Sequence, residues 1–405
     1  MTDFARLAAP RLAALGRLVP DASSFRAELP DTPRLHSTGA DFRDILDLDV
    51  IDELITSRSL RRPAFRVIRD GKQVSDAELL RERVLYPDTA DPRKIAGLLG
   101  AGATLVFQGL QELHGPCDDF ARRLGHDLGR PIHVNAYLTP AASQGFGDHY
   151  DVQDSFIVQV RGTKEWTLHE PVLRRPLSQE VFSRVGSRIG GTVVPEGRTP
   201  WATITLSPGD VLWLPRGWVH SARSSESASL HLTISLFEWT AWWALGRALE
   251  HATDLPGRFP VSADFVRDPE AAAADMARAR DELVAWLQAA DIAELATLVR
   301  NDALKDFLPP IRRPAGTLCA AQEAKTAYRV NPHAVLAATR TGERLLLHLA
   351  DRVVSVPATL ADLLSDLLAR DRFTLEELPD HPAAAKLLER LAAEGVIEPD
   401  PALAD

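Results

Sequence analysis

His149 and Asp151 stand two residues apart in the stretch FGDHYDVQDSFIVQVRGTKEW, residues 146–166. Along a strand, side chains at i and i+2 emerge from the same face. The apolar alternation at Phe156, Val158 and Val160 continues that pattern and predicts that the pair lines the inside of a sheet. Two imidazoles and one carboxylate that leave coordination positions open suit non-haem Fe(II) and oxygen chemistry. The second imidazole must then come from another strand. His220, after the turn-strand-turn PGDVLWLPRGWVH, is one choice. His231 in SLHLTIS competes with it, although it sits mid-strand and faces opposite to Leu230 and Leu232. A single His-x-Asp is common by chance and a lone histidine is usually a core residue. The weight lies in the combination of His-x-Asp, the lysine of RGTK and a histidine just after a β-turn. The remaining histidines show no ligand spacing.

These residues fall in the most strand-like part of the chain. From about 131 to 240, IHVNAYLTP, SFIVQV, EWTLHEP, WATITLSPGDVLWLP and ASLHLTISLF are short strands separated by glycine and proline. That spacing predicts a barrel or sandwich. Residues 1–130 mix helical patches with short strands, including a D-G turn in AFRVIRDGKQV. From about 241 to 325 the pattern turns helical, with AWWALGRALEHAT and a long alanine-rich stretch. The tail from 326 begins with a β pattern, AVLAATRTGERLLLHLADRVVSVP, followed by two helix-like runs, an order that predicts a small winged-helix-like domain. We therefore expect three units: a catalytic unit over 1–240, a helical region over 241–325 and the winged-helix-like domain over 326–405.

Bulk properties exclude several classes. A chain of 405 residues is too long for one ordinary core. With 45% hydrophobic and 25% charged residues its composition is that of a soluble globular protein. Two cysteines, Cys117 and Cys319, stand far apart, which excludes a cysteine-based zinc site and gives no sign of an oxidising compartment. The N-terminal stretch is broken by Asp3, Arg6, Arg11 and Arg17 and does not read as a secretory signal, so a cytoplasmic location is expected. No run of about 18 apolar residues predicts a membrane span. The net charge of −10 gives no global reason to expect phosphate binding. In the tail, eight basic face thirteen acidic side chains, a formal charge of −5. DNA binding is not expected there, because neutralising phosphates supplies most non-specific affinity. An acidic chain suits basic partners instead.

NAYLTPAASQGFGDHYDVQDSFIVQVRGTKEW followed by LSPGDVLWLPRGWVHSARSS and SLHLTIS resembles the JmjC/cupin-type 2-oxoglutarate oxygenases. Within them it is most similar to the ribosomal oxygenase branch, whose bacterial members hydroxylate 50S ribosomal proteins and which acts on histidine or arginine. The likeness is specific over about 131–240. It implies an α+β chain with a double-stranded β-helix (jelly-roll) core, Fe(II), the co-substrate 2-oxoglutarate and O2. His149, Asp151 and His220 match the iron ligands, and Lys164 matches the basic residue for the distal carboxylate of 2-oxoglutarate. Asn135 and Tyr137 match polar groups flanking the co-substrate or the substrate pocket. Thr233 and Ser235 are further hydrogen-bonding candidates that strand alternation allows to face inward. The helical region is expected to form a homodimer, with Trp239, Trp242, Trp243 and Leu245 at its start.

The sequence departs from the family pattern at Tyr150, Val152 and Ser155, and SLF stands where STY is more frequent. The expected activity is hydroxylation of a protein side chain, on histidine or arginine of a ribosomal protein. A small-molecule or biosynthetic-peptide hydroxylase and an N-methyl-lysine demethylase share the same iron site. A non-enzymatic cupin-fold binder or regulator is the alternative of another class.

Overall fold

The computed structural model describes residues 10–82, 86–184, 199–251, 260–307, 327–378 and 383–400. Cys319 and His381 lie outside them. Eleven strands build the part that holds the site. They are β1 (Arg34–Ser37), β2 (Phe65–Arg69), β3 (Lys72–Gln73), β4 (Thr104–Phe107), β5 (Ile132–Thr139), β6 (Ser155–Arg161), β7 (Lys164–His169), β8 (Ala202–Leu206), β9 (Asp210–Leu214), β10 (Val219–Ser224) and β11 (Ser229–Leu236). Eight form one antiparallel sheet in the order β1-β9-β6-β11-β5-β4-β2-β3, and three form a second in the order β10-β7-β8. The chain before residue 130 therefore completes the large sheet through β1 to β4.

The large sheet is covered on both faces, which explains why β6 reads as an almost unbroken buried run. Phe156, Val158, Val160, Val211 and Trp213 pack on one side with the N-terminal helical residues Leu15, Leu18, Phe25 and Ile51. On the other side Ile157, Leu212 and Leu214 meet Trp166, Leu168 and Leu206 of the small sheet. This corrects one expectation. Phe156, Val158 and Val160 face the helical layer, not the interior between the sheets, and His149 and Asp151 precede the strand altogether.

The interior row is set by register. His231 pairs with Tyr137 and with Gln159, Thr233 with Asn135 and Ile157, and Ser229 with Thr139. Residues one strand step apart in such rows share a face. The alternation on β11 thus sends Leu230, Leu232 and Ile234 to the helical core and His231, Thr233 and Ser235 inward.

Helices follow at Ala241–His251, Pro269–Ala289 and Ile292–Lys305. The last of these leaves no residue buried, and the second buries only Asp275. Trp239 and Trp243 pack together beside Phe307, while Trp242 is 62% exposed. The tail has its own core, from Val330 to Ile397. It holds β12 (Ala327–Val330), a meander of β13 (Ala337–Thr341), β14 (Arg344–His348) and β15 (Val353–Pro357), then β16 (Arg372–Thr374) and β17 (Ile397–Pro399), which flank β12. Helices Ala361–Ala369 and Ala384–Ala393 cover these sheets with leucines. Among the described residues no helix is long and apolar enough to cross a membrane.

Candidate metal and co-substrate site

His149 and Asp151 lie on the segment between β5 and β6, and His220 is the second residue of β10. The segment is fastened to β10 by the backbone. The His149 N–H donates to the His220 carbonyl at 3.1 Å and the His220 N–H to the His149 carbonyl at 2.8 Å. The Gly217 N–H donates to the Asp151 carbonyl at 2.9 Å, and the Arg216 N–H to Asp154 Oδ1 at 2.8 Å. The PRGW turn, residues 215–218, thus positions the carboxylate while β10 positions both imidazoles. Gly217 has φ +85°, and a Cβ there would lie 2.4 Å from the Leu173 carbonyl oxygen, so the turn requires glycine.

Ring nitrogens are assigned by the same contacts. His149 Nδ1 lies 2.8 Å from the Gly147 carbonyl and His220 Nδ1 3.0 Å from the Trp218 carbonyl. A carbonyl accepts only, so each Nδ1 carries a proton and Nε2 is the ring nitrogen left for a metal. His220 Nε2 is 3.8 Å from Asp151 Oδ2, and one ligand atom from each of the three residues lies within 4.8 Å of the others. Burial first, then the neighbouring His149, push the His220 pKa down to about 4, which keeps it neutral as a metal ligand must be. Two imidazoles and a carboxylate, their ligand atoms gathered within 4.8 Å, are a donor set that fits Fe(II).

The triad lines a cavity of about 670 Å³ whose wall includes Tyr137, Lys164, Trp166, His231 and Thr233. Lys164 is 4% exposed, far from the solvated hairpin lysine its RGTK context suggests. Its Nζ donates to Thr139 Oγ1 at 3.0 Å, and among the described residues no carboxylate stands in salt-bridge reach. Burial alone pushes its pKa down to about 7. A buried ammonium without a counter-ion is costly, and an anion entering the cavity removes that cost. The wall therefore fits a carboxylate co-substrate at Lys164 as well as a metal at the triad.

Of the eight residues singled out from sequence, six line this cavity: His149, Asp151, His220, Lys164, Tyr137 and Thr233. Asn135 and Ser235 stand behind it. Asn135 Oδ1 accepts from the Gly109 N–H at 3.2 Å, and the Ser235 and Ser155 hydroxyls share a hydrogen bond of 2.9 Å. That bond explains Ser155: a bulkier apolar residue there would leave Ser235 without its partner. His231 is buried, stacked on Tyr137 at 4.7 Å and edge-on to Trp166 at 5.4 Å. Burial first, then Lys164 and His220, hold its pKa well below the usual imidazole value. Its place on the wall was readable from β11 alternation, since it shares a face with Thr233. Thr139, Trp166 and Arg66 escape sequence reading because only cross-strand register brings them here.

Comparison with known proteins fits this geometry. Residues 120–242 match the family model of the JmjC domain. The chain is 37% identical over 142 residues to mouse (Mus musculus) ribosomal oxygenase 2, covering 35% of this chain and 28% of that one. It is 38% identical over 126 residues to the bifunctional lysine-specific demethylase and histidyl-hydroxylase NO66 of Dictyostelium discoideum, covering 31% and 23%. The matched region thus spans about a quarter of these relatives. Among solved structures, E. coli ycfD superposes with a TM-score of 0.54 at 15% identity, covering 94% of this chain and 98% of that one. The chain accordingly shares the fold of that protein, and the JmjC match spans strands β5 to β11. The chain carries a JmjC domain and is similar to the ribosomal oxygenases.

Proposed function

We propose that the protein is an Fe(II)- and 2-oxoglutarate-dependent oxygenase that hydroxylates a protein side chain, histidine or arginine of a ribosomal protein. The observation that carries this reading is one cavity holding both the His149–Asp151–His220 triad and the buried Lys164, which has no carboxylate partner among the described residues. The relatives named ribosomal oxygenase and histidyl-hydroxylase support it. A binding protein of the same fold has no need of a buried lysine, without a carboxylate partner among the described residues, beside a histidine pair.

Bound iron would supply oxygen activation, coupled to oxidation of 2-oxoglutarate to succinate and carbon dioxide. The chain's own residues bind, orient and exclude water. His149, Asp151 and His220 would hold the metal on one side and leave its other side to the cavity. Lys164, seated by Thr139, would take the far carboxylate of the co-substrate and so fix which end meets the metal. Trp166 and Ile157, on the same wall, keep that end dry, which strengthens the ion pair. Tyr137 and Thr233 remain to hydrogen-bond what lies beside it.

The helices of 241–307 would serve a homodimer. Their apolar side chains Trp242, Met276, Val284 and Ile292 are exposed in the single chain, which favours a covering partner. With a ribosomal-protein substrate the site of action would be the cytoplasm, and the acidic tail would dock basic protein rather than DNA. The test is incubation of the iron-loaded protein with purified ribosomal proteins, with and without 2-oxoglutarate. Mass spectrometry should find one product heavier by a single oxygen atom, on histidine or arginine, only when 2-oxoglutarate is present. Unmodified ribosomal proteins alongside a turned-over co-substrate would redirect the reading to a small-molecule hydroxylase.

A further inference from the structure

The cavity holds a second cation that the triad and co-substrate leave unused. Arg66 lies on β2 between Phe65 and Val67, both wholly buried in the helical core. Strand alternation therefore turns Arg66 to the opposite, inner face. Register carries it into the site: Arg66 pairs with Val106, Val106 with Tyr137 and Tyr137 with His231. One cross-strand row thus runs from Arg66 to the wall beside the triad, and Arg66 lines the same cavity.

Its contacts leave part of the guanidinium unsatisfied. The Arg66 carbon Cζ sits 5.2 Å from the centre of the Phe146 ring. Its Nε is buried without a hydrogen-bond partner among the described residues. Burial, then Asp151, raise the Tyr137 pKa, while the charge of Arg66 and hydrogen bonding from Arg66 and Asn135 oppose the rise. The Phe146 face is therefore already taken by an internal cation. Two carboxylates line the cavity near it. Asp151 belongs to the triad, and Asp148 is exposed to water, where its attraction is screened.

We infer that Arg66 is a specificity-determining residue that admits a neutral imidazole and rejects a guanidinium or methylated ammonium, so the target side chain is histidine. This rests on the hydroxylase reading above and narrows it. A target residue must bring its carbon to the metal side of the cavity, past the Tyr137–Phe146 wall. A cationic side chain there meets the charge of Arg66 in a partly dry space, while a neutral imidazole meets no such repulsion. At separations of several ångströms and an effective dielectric near 20, like-charge repulsion costs about tenfold or more in affinity.

The test uses the full chain loaded with Mn(II) and 2-oxoglutarate at pH 8, where histidine is neutral. Three capped peptides, acetyl-Gly-Ala-X-Ala-Gly-amide with X as histidine, arginine or Nε-methyl-lysine, are followed by paramagnetic broadening of the side-chain protons of X. The expected result is broadening of the histidine peptide at concentrations about tenfold below those needed for the other two. Arg66→Gln should shrink that ratio to within about twofold, and Arg66→Lys, which keeps the charge, should preserve most of it. Equal broadening of the arginine and histidine peptides, absence of broadening for all three, or a ratio unmoved by Arg66→Gln overturns the inference. So does a tenfold loss of 2-oxoglutarate affinity in Arg66→Gln, which would make Arg66 a co-substrate residue. Failure of the wild type to bind Mn(II) or 2-oxoglutarate overturns the underlying hydroxylase reading as well, which separates the two failures.

Discussion

His149 and His220, far apart in sequence, exchange both of their main-chain hydrogen bonds, at 3.1 and 2.8 Å, with ring centres 4.4 Å apart. Each ring is also turned by its own Nδ1, held on a carbonyl two residues earlier in the chain. Backbone bonding therefore fixes the imidazole pair before any ion arrives, and the third ligand, Asp151, is tied to the PRGW turn through Gly217. A site prepared in this way loses little freedom on binding.

From that relationship follows a metal-binding series. His149→Ala, Asp151→Ala and His220→Ala should each lower Mn(II) affinity by a factor of a hundred or more, while circular dichroism stays that of the wild type. His231→Ala removes a ring stacked on Tyr137 and should leave Mn(II) affinity within a few-fold. Retained metal in His220→Ala, or lost metal in His231→Ala alone, would exchange the roles of the two histidines.

Lys164→Ala should weaken 2-oxoglutarate by about a hundredfold or more, because removing one member of a buried ion pair costs roughly 3–5 kcal/mol. Lys164→Arg should lie between, since a planar guanidinium cannot reproduce the contact with Thr139. Calorimetric titration of the three proteins loaded with Mn(II) measures this directly. An unchanged affinity in the alanine variant would remove Lys164 from the co-substrate site.

The pH dependence has a definite sign. In the free protein Lys164 gives up its proton near pH 7, against an ordinary 10.5, because it is buried. A carboxylate beside it restores the proton, so binding takes one up above pH 7. Co-substrate affinity should be level below about pH 7 and fall by up to about tenfold per unit above it. Stability runs the other way. Between the folded and unfolded pKa values the unfolded chain holds more protons, so the Lys164 contribution to stability grows as pH rises from 7 toward 10.5. Titrations at several pH values, paired with denaturant melts, should show opposite slopes in wild type and flat ones in Lys164→Met.

Gly217→Ala should destabilise the fold by about 1–3 kcal/mol, since alanine at φ +85° is strained and its Cβ would meet the Leu173 carbonyl oxygen. Because the Gly217 N–H holds the Asp151 carbonyl, Mn(II) affinity should fall with stability. A variant with lower melting temperature and wild-type metal affinity would show that the turn does not position the carboxylate.

Light scattering tests the exposed helices. A homodimer of the 44.4 kDa chain is expected at micromolar concentration, and Trp242→Glu with Ile292→Glu should return it to monomer. A monomeric wild type would leave those side chains to another partner.

His149, Asp151 and Lys164 stood out in the sequence because histidine, aspartate and lysine among short strands carry their own signal, whereas the choice of His220 over His231 came from the family resemblance. The reason offered for the His149–Asp151 pair did not survive, since the two residues lie on a segment between strands and Phe156, Val158 and Val160 turn to the helical layer. Alternation has two phases, and composition alone did not tell a sheet covered on both sides from one covered on one. His231 was placed mid-strand correctly, yet its stacking on Tyr137 depends on β5–β11 register, which no local pattern encodes. Arg66 was invisible for the same reason: its strand lies far upstream and reaches the site only as the seventh strand of the large sheet.

The most direct measurement of the central claim is succinate formed from 2-oxoglutarate by the purified chain, with Fe(II) and O2 each supplied or withheld, in the presence of ribosomal proteins. Succinate should appear only when both are present, in step with oxygen atoms gained by the protein substrate, and should vanish in His220→Ala. Succinate formation equal in wild type and His220→Ala, or absent from both, would contradict an oxygenase built on His149, Asp151 and His220.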